Sequence, residues 1–351
     1  MRARIIRTMS LRSELAEQPK VVRRLLAEGW PDARECGRRL ARVEHLTLAA
    51  RGSSDNAATY GKYLFESLAG VVTALAAPSL VTRYRTPPAF GRGGVIGISQ
   101  SGAAPDVAAV VSEARAAHAA TIAITNRAGS LLARSAERTF LLRAGPERAI
   151  AATKTYTATC VALALIAATL AEARGRSALS LAGLDLAMDE AVATEREAKR
   201  LARAIGRPRQ LVVLGRGYEY ASALECALKV KELGRVWAEP YSSADFLHGP
   251  IALLRPGTPV VLFLSRGATA ADGRATVAGL RKRGARIYAV TNDPQVAEHA
   301  DGAVLLERPL SEALTPITFV VVAQHLAIAL ARQRGLDPER PAGLSKVTRT
   351  R

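Results

Sequence analysis

Lys229, Glu232 and His248 fall within twenty residues of one another in the stretch 221–250, ASALECALKVKELGRVWAEPYSSADFLHGP. Lys229 and Glu232 stand at i and i+3 and so share one helical face. His248 is followed at once by Gly249-Pro250, a turn signal that puts the imidazole on a loop. An ammonium, a carboxylate and an imidazole are the groups that move protons on a small polar molecule. Taken one at a time, the Lys/Glu pair reads as a solvated helix face and the histidine as polar surface.

A second set of residues suits an anion. The run GVIGI at 94–98 ends on Ser99-Gln100-Ser101-Gly102, and HLTLAA at 45–50 ends on Arg51-Gly52-Ser53-Ser54. Open parallel sheets bind ligands off the carboxyl ends of their strands, where loops lead into helix N-termini. Free N–H groups and the positive end of the helix dipole there favour an oxyanion. Ser99 and Ser101 add hydroxyls and Gln100 an amide, with Ser54 beside them, a donor density that suits a phosphate dianion. Seen alone, serine loops of this kind also read as plain N-caps.

The elements that must carry these groups follow from the order of apolar runs. Residues 9–45 read as mostly helical, with one helical period over 11–26 broken or restarted at Pro19 and a more polar helix at 32–42. Strands at 45–50, 71–76, 94–98, 120–125 and 139–142 then alternate with helices, one opened by Asp55 and Asn56 as caps and one at 105–118. That is the pattern of a parallel, doubly wound sheet. It starts again with strands at 210–214, 259–264 and 286–291 and a helix at 220–233. A slide of 165 residues sets Arg51-Gly52 on Arg216-Gly217, and one of 166 sets Ser99 on Ser265 and Asn126 on Asn292. The chain is therefore a duplicated α/β unit, joined near 175–205 largely by one helix, 184–204. In the second unit the serine loop becomes Ser265-Arg266-Gly267-Ala268, with one hydroxyl. The first unit is the expected phosphate binder, and the second supplies the acid–base residues.

With 351 residues, 49% hydrophobic and 5% aromatic, the chain is long enough for two cored domains of α/β type. The net charge of +18 is scattered, with no basic arm and few aromatics to stack bases, so no nucleic-acid partner is expected. Only eight of the 49 basic residues are lysines. A lysine, unlike an arginine, can shed its proton and act as an amine nucleophile, which singles out Lys229 and Lys346. Cys36, Cys160 and Cys226 form no CxxC pair and the five histidines no HxH or HExxH spacing, so a cytoplasmic setting is expected and a metal site is not. The start, MRARIIRTMSLRSEL, lacks the apolar core of a secretory signal, and Met9 is an alternative start. The apolar runs at 160–170 and 317–331 are too short, or interrupted by Gln324 and His325, for a membrane span.

The pieces ARGSSDNAATYGKYLFESLAG, ISQSG, GPERAIAATKTYT, LGRGYEYASALECALKVKELGRVWAEPYSSADFLHGPIALL and the tail LSKVT resemble the isomerase portion of the glutamine–fructose-6-phosphate aminotransferases. That portion is built of two sugar-isomerase (SIS) domains, and the resemblance runs from about Glu14 to Lys346. It implies linker helices at 1–35, a phosphate-binding SIS domain at 36–180, a linker helix at 181–205, a second SIS domain at 206–340 and a tail at 341–351. Each domain would be a doubly wound parallel sheet flanked by helices. The resemblance puts Ser54, Ser99, Gln100 and Ser101 on the phosphate of a sugar-phosphate substrate and counts Gly52 and Thr153 among the substrate-binding positions. It makes Glu232 the base that shuttles a proton between C1 and C2, and Lys229 a stabiliser of charge developing on oxygen. Lys346 would meet the carbonyl end as a contact or an imine-forming amine. His248 would assist ring opening from the neighbouring subunit of a homodimer. No metal or other cofactor is implied. Two positions depart from the family: Ala104 replaces a threonine of the phosphate loop, and Ala152 a serine. The aminotransferases also carry a glutaminase domain with a terminal cysteine, and none lies near residue 1 here. The expected reaction is therefore that of the stand-alone SIS-type deaminases, glucosamine 6-phosphate to fructose 6-phosphate and ammonia. Fructosamine-phosphate deglycases and other sugar-phosphate isomerases share this layout, and a non-catalytic sugar-phosphate sensor is the alternative of another class.

Overall fold

The computed structural model describes residues 10–346. The alternative start at Met9 and the tail beyond Lys346 lie outside them. Three helices come first: α1 (Leu11–Ala16), α2 (Gln18–Glu28) and α3 (Trp30–Leu40). Pro19 sits in the first turn of α2, where a missing N–H is harmless, so it restarts the helix.

The first unit runs β1 (His45–Ala49), α4 (Ser53–Leu64), β2 (Val72–Leu75), α5 (Ser79–Thr82), β3 (Gly94–Ile98) and α6 (Pro105–Ala116). It continues through β4 (Ala120–Thr125), α7 (Leu131–Ser135), β5 (Arg138–Leu141) and α8 (Lys154–Ala173). Then α9 (Leu184–Ala193) and α10 (Glu195–Ile205) lead to β6 (Gln210–Gly215), α11 (Glu219–Gly234), β7 (Trp237–Ser242) and α12 (Ser243–Phe246). The second unit ends with β8 (Pro259–Leu264), α13 (Ala270–Lys282), β9 (Arg286–Thr291), α14 (Pro294–His299), β10 (Gly302–Leu305) and α15 (Thr315–Gln333).

Each unit holds one five-stranded parallel sheet, in the orders β2-β1-β3-β4-β5 and β7-β6-β8-β9-β10. The two orders correspond strand for strand, as a duplication requires. Helices cover both faces of each sheet, so β3 and β4 are buried along their whole length and read as unbroken apolar runs. The largest apolar cluster draws on α4 and α8 of the first unit and α11 and α15 of the second, so the repeats share one core.

Four details differ from the sequence-based expectation. The segment between α11 and His248, where no strand was expected, contains β7. Its sequence WAEPYS has no clean alternation, but it is an edge strand, where Pro240 is tolerated, and it pairs with β6 in parallel register. β10, only four residues long, also went unread. The linker is two helices, parted at Thr194, whose hydroxyl bonds back to the Ala191 carbonyl at 2.7 Å. Asp55 and Asn56 are not caps but lie inside the first turn of α4, behind Gly52.

The two apolar runs set aside as too short belong to longer helices. α8, and α15 with the turn before it, are long and apolar enough to cross a bilayer, but 89% and 100% of their apolar windows are buried inside the protein. Each fully buried Val, Leu, Ile or Phe there contributes roughly 1.5–3 kcal/mol of burial, so these helices are core pieces.

Candidate active site

β1 and β3 are neighbours in parallel register, Ala49 beside Gly97, so the loops that follow them leave the sheet side by side. Arg51 on the first loop donates to Asp106, in the first turn of α6, at 2.8 Å and ties the two together. Gly52, at φ +58, turns the chain into α4. A side chain there would meet nothing within 4 Å, so backbone conformation rather than space calls for glycine. This geometry sets the loop that carries Ser54 beside the loop that carries Ser99, Gln100 and Ser101. Among the described residues the Ser54 and Ser99 hydroxyls and the Gln100 amide carry no internal hydrogen bond, which leaves their donors for a ligand. Ser101 accepts one from the Ala103 N–H at 3.3 Å. Ala104 caps α6 with no side-chain bond.

The acid–base face lies on α11. Glu225, Lys229 and Glu232 are spaced i, i+4, i+7 and stack on one side of the helix. Lys229 donates to Glu232 and sits 3.5 Å from Glu225. Burial by itself pulls the Lys229 ammonium toward neutrality, but Glu225 and Glu232, with a weaker pull from Glu147, more than offset this and raise its pKa. Lys229 therefore stays charged. Glu225 is completely buried and burial raises its carboxyl, against Lys229 and Asn56, which lower it. Glu232 keeps 22% of its side chain open while Glu225 and Glu147 keep none, so Glu232 is the carboxylate of the three that a substrate can reach.

The helix after the first serine loop bonds to this face, and the tail bonds to the loop before α8. Asn56, two residues beyond Ser54 on α4, donates to Glu225 at 2.7 Å. Lys346, from the tail, donates to Glu147 of the first unit at 2.7 Å. Glu147 also accepts from the Thr153 and Thr155 N–H groups at 3.0 and 3.1 Å and from the Thr155 hydroxyl at 2.8 Å. Thr153 opens α8, and its own hydroxyl is buried without a partner. The N-terminal helices hold this corner in place: Glu14 accepts from the Arg148 N–H at 2.5 Å, and Glu17 pairs with the buried Lys154 at 2.6 Å.

Glu147, Glu225 and Asn56 were not anticipated as site residues. Glu225 had a readable signal in its i, i+4, i+7 spacing. Glu147 had none, because its partners come from elements far apart in sequence. His248 makes no bond to this cluster: it is exposed on the turn after α12, and its ring forms no hydrogen bond or ion pair among the described residues. No group of three or more His, Cys, Asp or Glu among the described residues has the arrangement of a metal site, and the three cysteines are buried and free.

The SIS domain family profile matches the chain twice, at residues 39–169 and 205–332. The glutamine–fructose-6-phosphate aminotransferase (isomerizing) of Methanothermobacter thermautotrophicus is 33% identical over 335 residues, which is 95% of this chain and 56% of that protein. Its counterpart in Gloeobacter violaceus is 36% identical over 350 residues, 95% of this chain and 57% of that one. The chain thus spans about half the length of the curated relatives it matches. A crystal structure from Silicibacter pomeroyi DSS-3, provisionally named a phosphosugar isomerase, is 34% identical with a TM-score of 0.80, covering 94% of this chain and 100% of that chain. Glucosamine-6-phosphate deaminase from Thermotoga maritima shares the fold at 22% identity and a TM-score of 0.79, over 97% of this chain and 99% of that chain. Two matched regions, one on each of two sheets with the same strand order, leave one assignment: the chain belongs to the SIS-domain family.

Proposed function

We propose that the chain is a sugar-phosphate isomerase acting on an amino sugar, converting glucosamine 6-phosphate to fructose 6-phosphate and ammonia. The observation that carries this reading is the Asn56–Glu225 bond, which sets the Lys229/Glu232 face of one repeat against the helix that begins at the serine loop of the other. One hexose phosphate then meets both: phosphate on Ser54, Ser99, Gln100 and Ser101, and C1–C2 toward Glu232. The SIS family assignment and the phosphosugar names of the relatives support the same substrate class.

Once the ring is open, the C1 aldehyde acidifies the C2–H of the 2-amino aldose. Glu232 takes that proton and returns it at C1, while the nitrogen gives up one proton and the C1 oxygen gains one, leaving a C1 hydroxymethyl and an imine at C2. Water adds to the imine carbon and ammonia leaves. Lys229, held charged by its carboxylates, stabilises negative charge as it builds on the C1 oxygen, an electrostatic contribution that grows in the transition state. Lys346, pinned by Glu147, stands at the carbonyl end, and His248 of a second copy in a homodimer assists ring opening. The proposed domain limits are those of the sequence reading, with the phosphate in the first SIS domain and the base in the second.

One observation favours a second reading. Gln100 and Glu147 also line a recess of about 550 Å³ with Arg24, Arg127, Arg143 and Arg148. Arg143 is paired with Asp32 and Arg24 donates to the Arg143 carbonyl, so the Arg127 and Arg148 guanidinium groups are the ones that suit a carboxylate, as on an amino acid joined to the sugar nitrogen, the substrate type of a deglycase. Turnover of glucosamine 6-phosphate compared with a fructoselysine phosphate separates the two. Ammonia from the first with little reaction of the second supports the deaminase, and the reverse outcome replaces it with the deglycase. Binding of both without turnover leaves a sensor.

A further inference from the structure

The loop of the second repeat that corresponds to Ser99–Gly102 is already holding an anion, and the anion belongs to the protein. Glu312, in the short turn before α15, accepts from the Ala268 N–H at 2.8 Å and from the Thr269 hydroxyl at 3.4 Å. Gly267 adopts φ +149, and a Cβ built on it would lie 2.0 Å from the Glu312 carboxylate, so only glycine admits the group this close. Ser265, the counterpart of Ser99, is 2% exposed and its hydroxyl has no partner. Arg266, the counterpart of Gln100, is exposed and its guanidinium pairs with nothing among the described residues. Behind these donors begins α13, thirteen residues long. The turn that carries Glu312 is itself pinned from the first unit, where the Tyr60 hydroxyl donates to the Ala313 carbonyl at 2.6 Å.

We propose that the loop at 265–269 is a second phosphomonoester site in which the Glu312 carboxylate, holding the Ala268 N–H and the Thr269 hydroxyl, acts as a tethered occupant. The comparison with the first loop rests on the reading of Ser99–Ser101 as the phosphate cradle. A second change keeps the site closed. The slide of 165 residues sets Ser54 on Glu219, so a buried acid stands where the first repeat has a hydroxyl. The Glu312 carboxylate in the cradle repels an incoming dianion, and the buried Glu219, held by Ser222 and Thr315, offers no free hydroxyl in place of Ser54. The duplicated fold therefore binds one substrate, and Glu312 and Glu219 are the residues that make its two halves unequal.

The test is titration with inorganic phosphate and glucosamine 6-phosphate of the wild type, Glu312→Ala and Glu312→Ala/Glu219→Ser, with calorimetry for stoichiometry and thermal shift for stability. Glu312→Ala is expected to take up one more phosphate per chain than the wild type, with affinity at the new site at least about tenfold above any the wild type has there. That uptake should persist when Ser99 and Ser101 are also replaced by alanine, and the Glu219→Ser change should strengthen it. Should Glu312→Ala unfold alone, refolding by phosphate supports the proposal, and failure to refold moves the question to Glu312→Gln. A folded Glu312→Ala or Glu312→Gln chain with the wild-type stoichiometry and thermal shift overturns it. Unchanged sugar-phosphate binding in Ser99→Ala/Ser101→Ala on the wild-type background would instead remove the first cradle, a distinct outcome.

Discussion

Glu232 is the most exposed carboxylate in a group of three, and its proposed work is to move one proton. Glu232→Gln keeps shape and loses the base. It is expected to lower kcat by about 10²–10⁴ for any aldose–ketose substrate while circular dichroism and melting temperature stay near wild type. Activity within twofold of wild type would sink the assignment. Glu219 makes a prediction about stability. Burial raises its carboxyl to about 7, although Ser222 and Thr315 pull it back down by donating to it. A carboxyl raised on folding stabilises the protein below its unfolded value near 4.5, and that contribution is lost as pH climbs through about 7. The difference amounts to about 3 kcal/mol for a shift of this size. The melting temperature of wild type should therefore fall more steeply between pH 5 and pH 8 than that of Glu219→Gln. Parallel melting curves across that range would show that Glu219 does not titrate there.

α11 is the element on which the two repeats meet. It buries Glu225 and Lys229 in a core helix, which is tolerable only because each compensates the other. Lys229→Met leaves Glu225 buried without its counter-charge and is expected to destabilise the fold by about 3–5 kcal/mol, read from denaturant unfolding. Adding Glu225→Gln should return a large part of that loss, since Asn56 can still donate to the amide oxygen. Additive losses in the double variant would mean that the pair is not coupled. α11 was legible in sequence from its apolar period. β7, directly after it, was not: an edge strand is selected by the free hydrogen-bonding edge of β6, which no local pattern records.

At the scale of the whole molecule, the repeats share a core, and the exposed His248 forms no hydrogen bond or ion pair with the site residues among the described residues of its own chain. If a partner copy supplies it, two inactive variants should complement each other. His248→Ala and Glu232→Gln, unfolded together and refolded as a mixture, are expected to recover roughly a quarter of wild-type activity, because half the dimers are mixed and each mixed dimer holds one intact site. Recovery no better than the sum of the separate variants would show that His248 is not supplied by a partner copy.

Sequence alone determined the duplication, because strand-ending loops rich in Gly and Ser recur at a fixed spacing that packing does not alter. It also marked Lys229 and Glu232 as partners, since i and i+3 neighbours touch in any helix. Tertiary structure decided what those residues face. Asn56 against Glu225, Glu147 against Lys346 and Glu312 in the second loop are pairs between elements from 44 to 199 residues apart. Such pairs follow from how the two sheets and their shared helices pack, and nothing in the local spacing of residues specifies that.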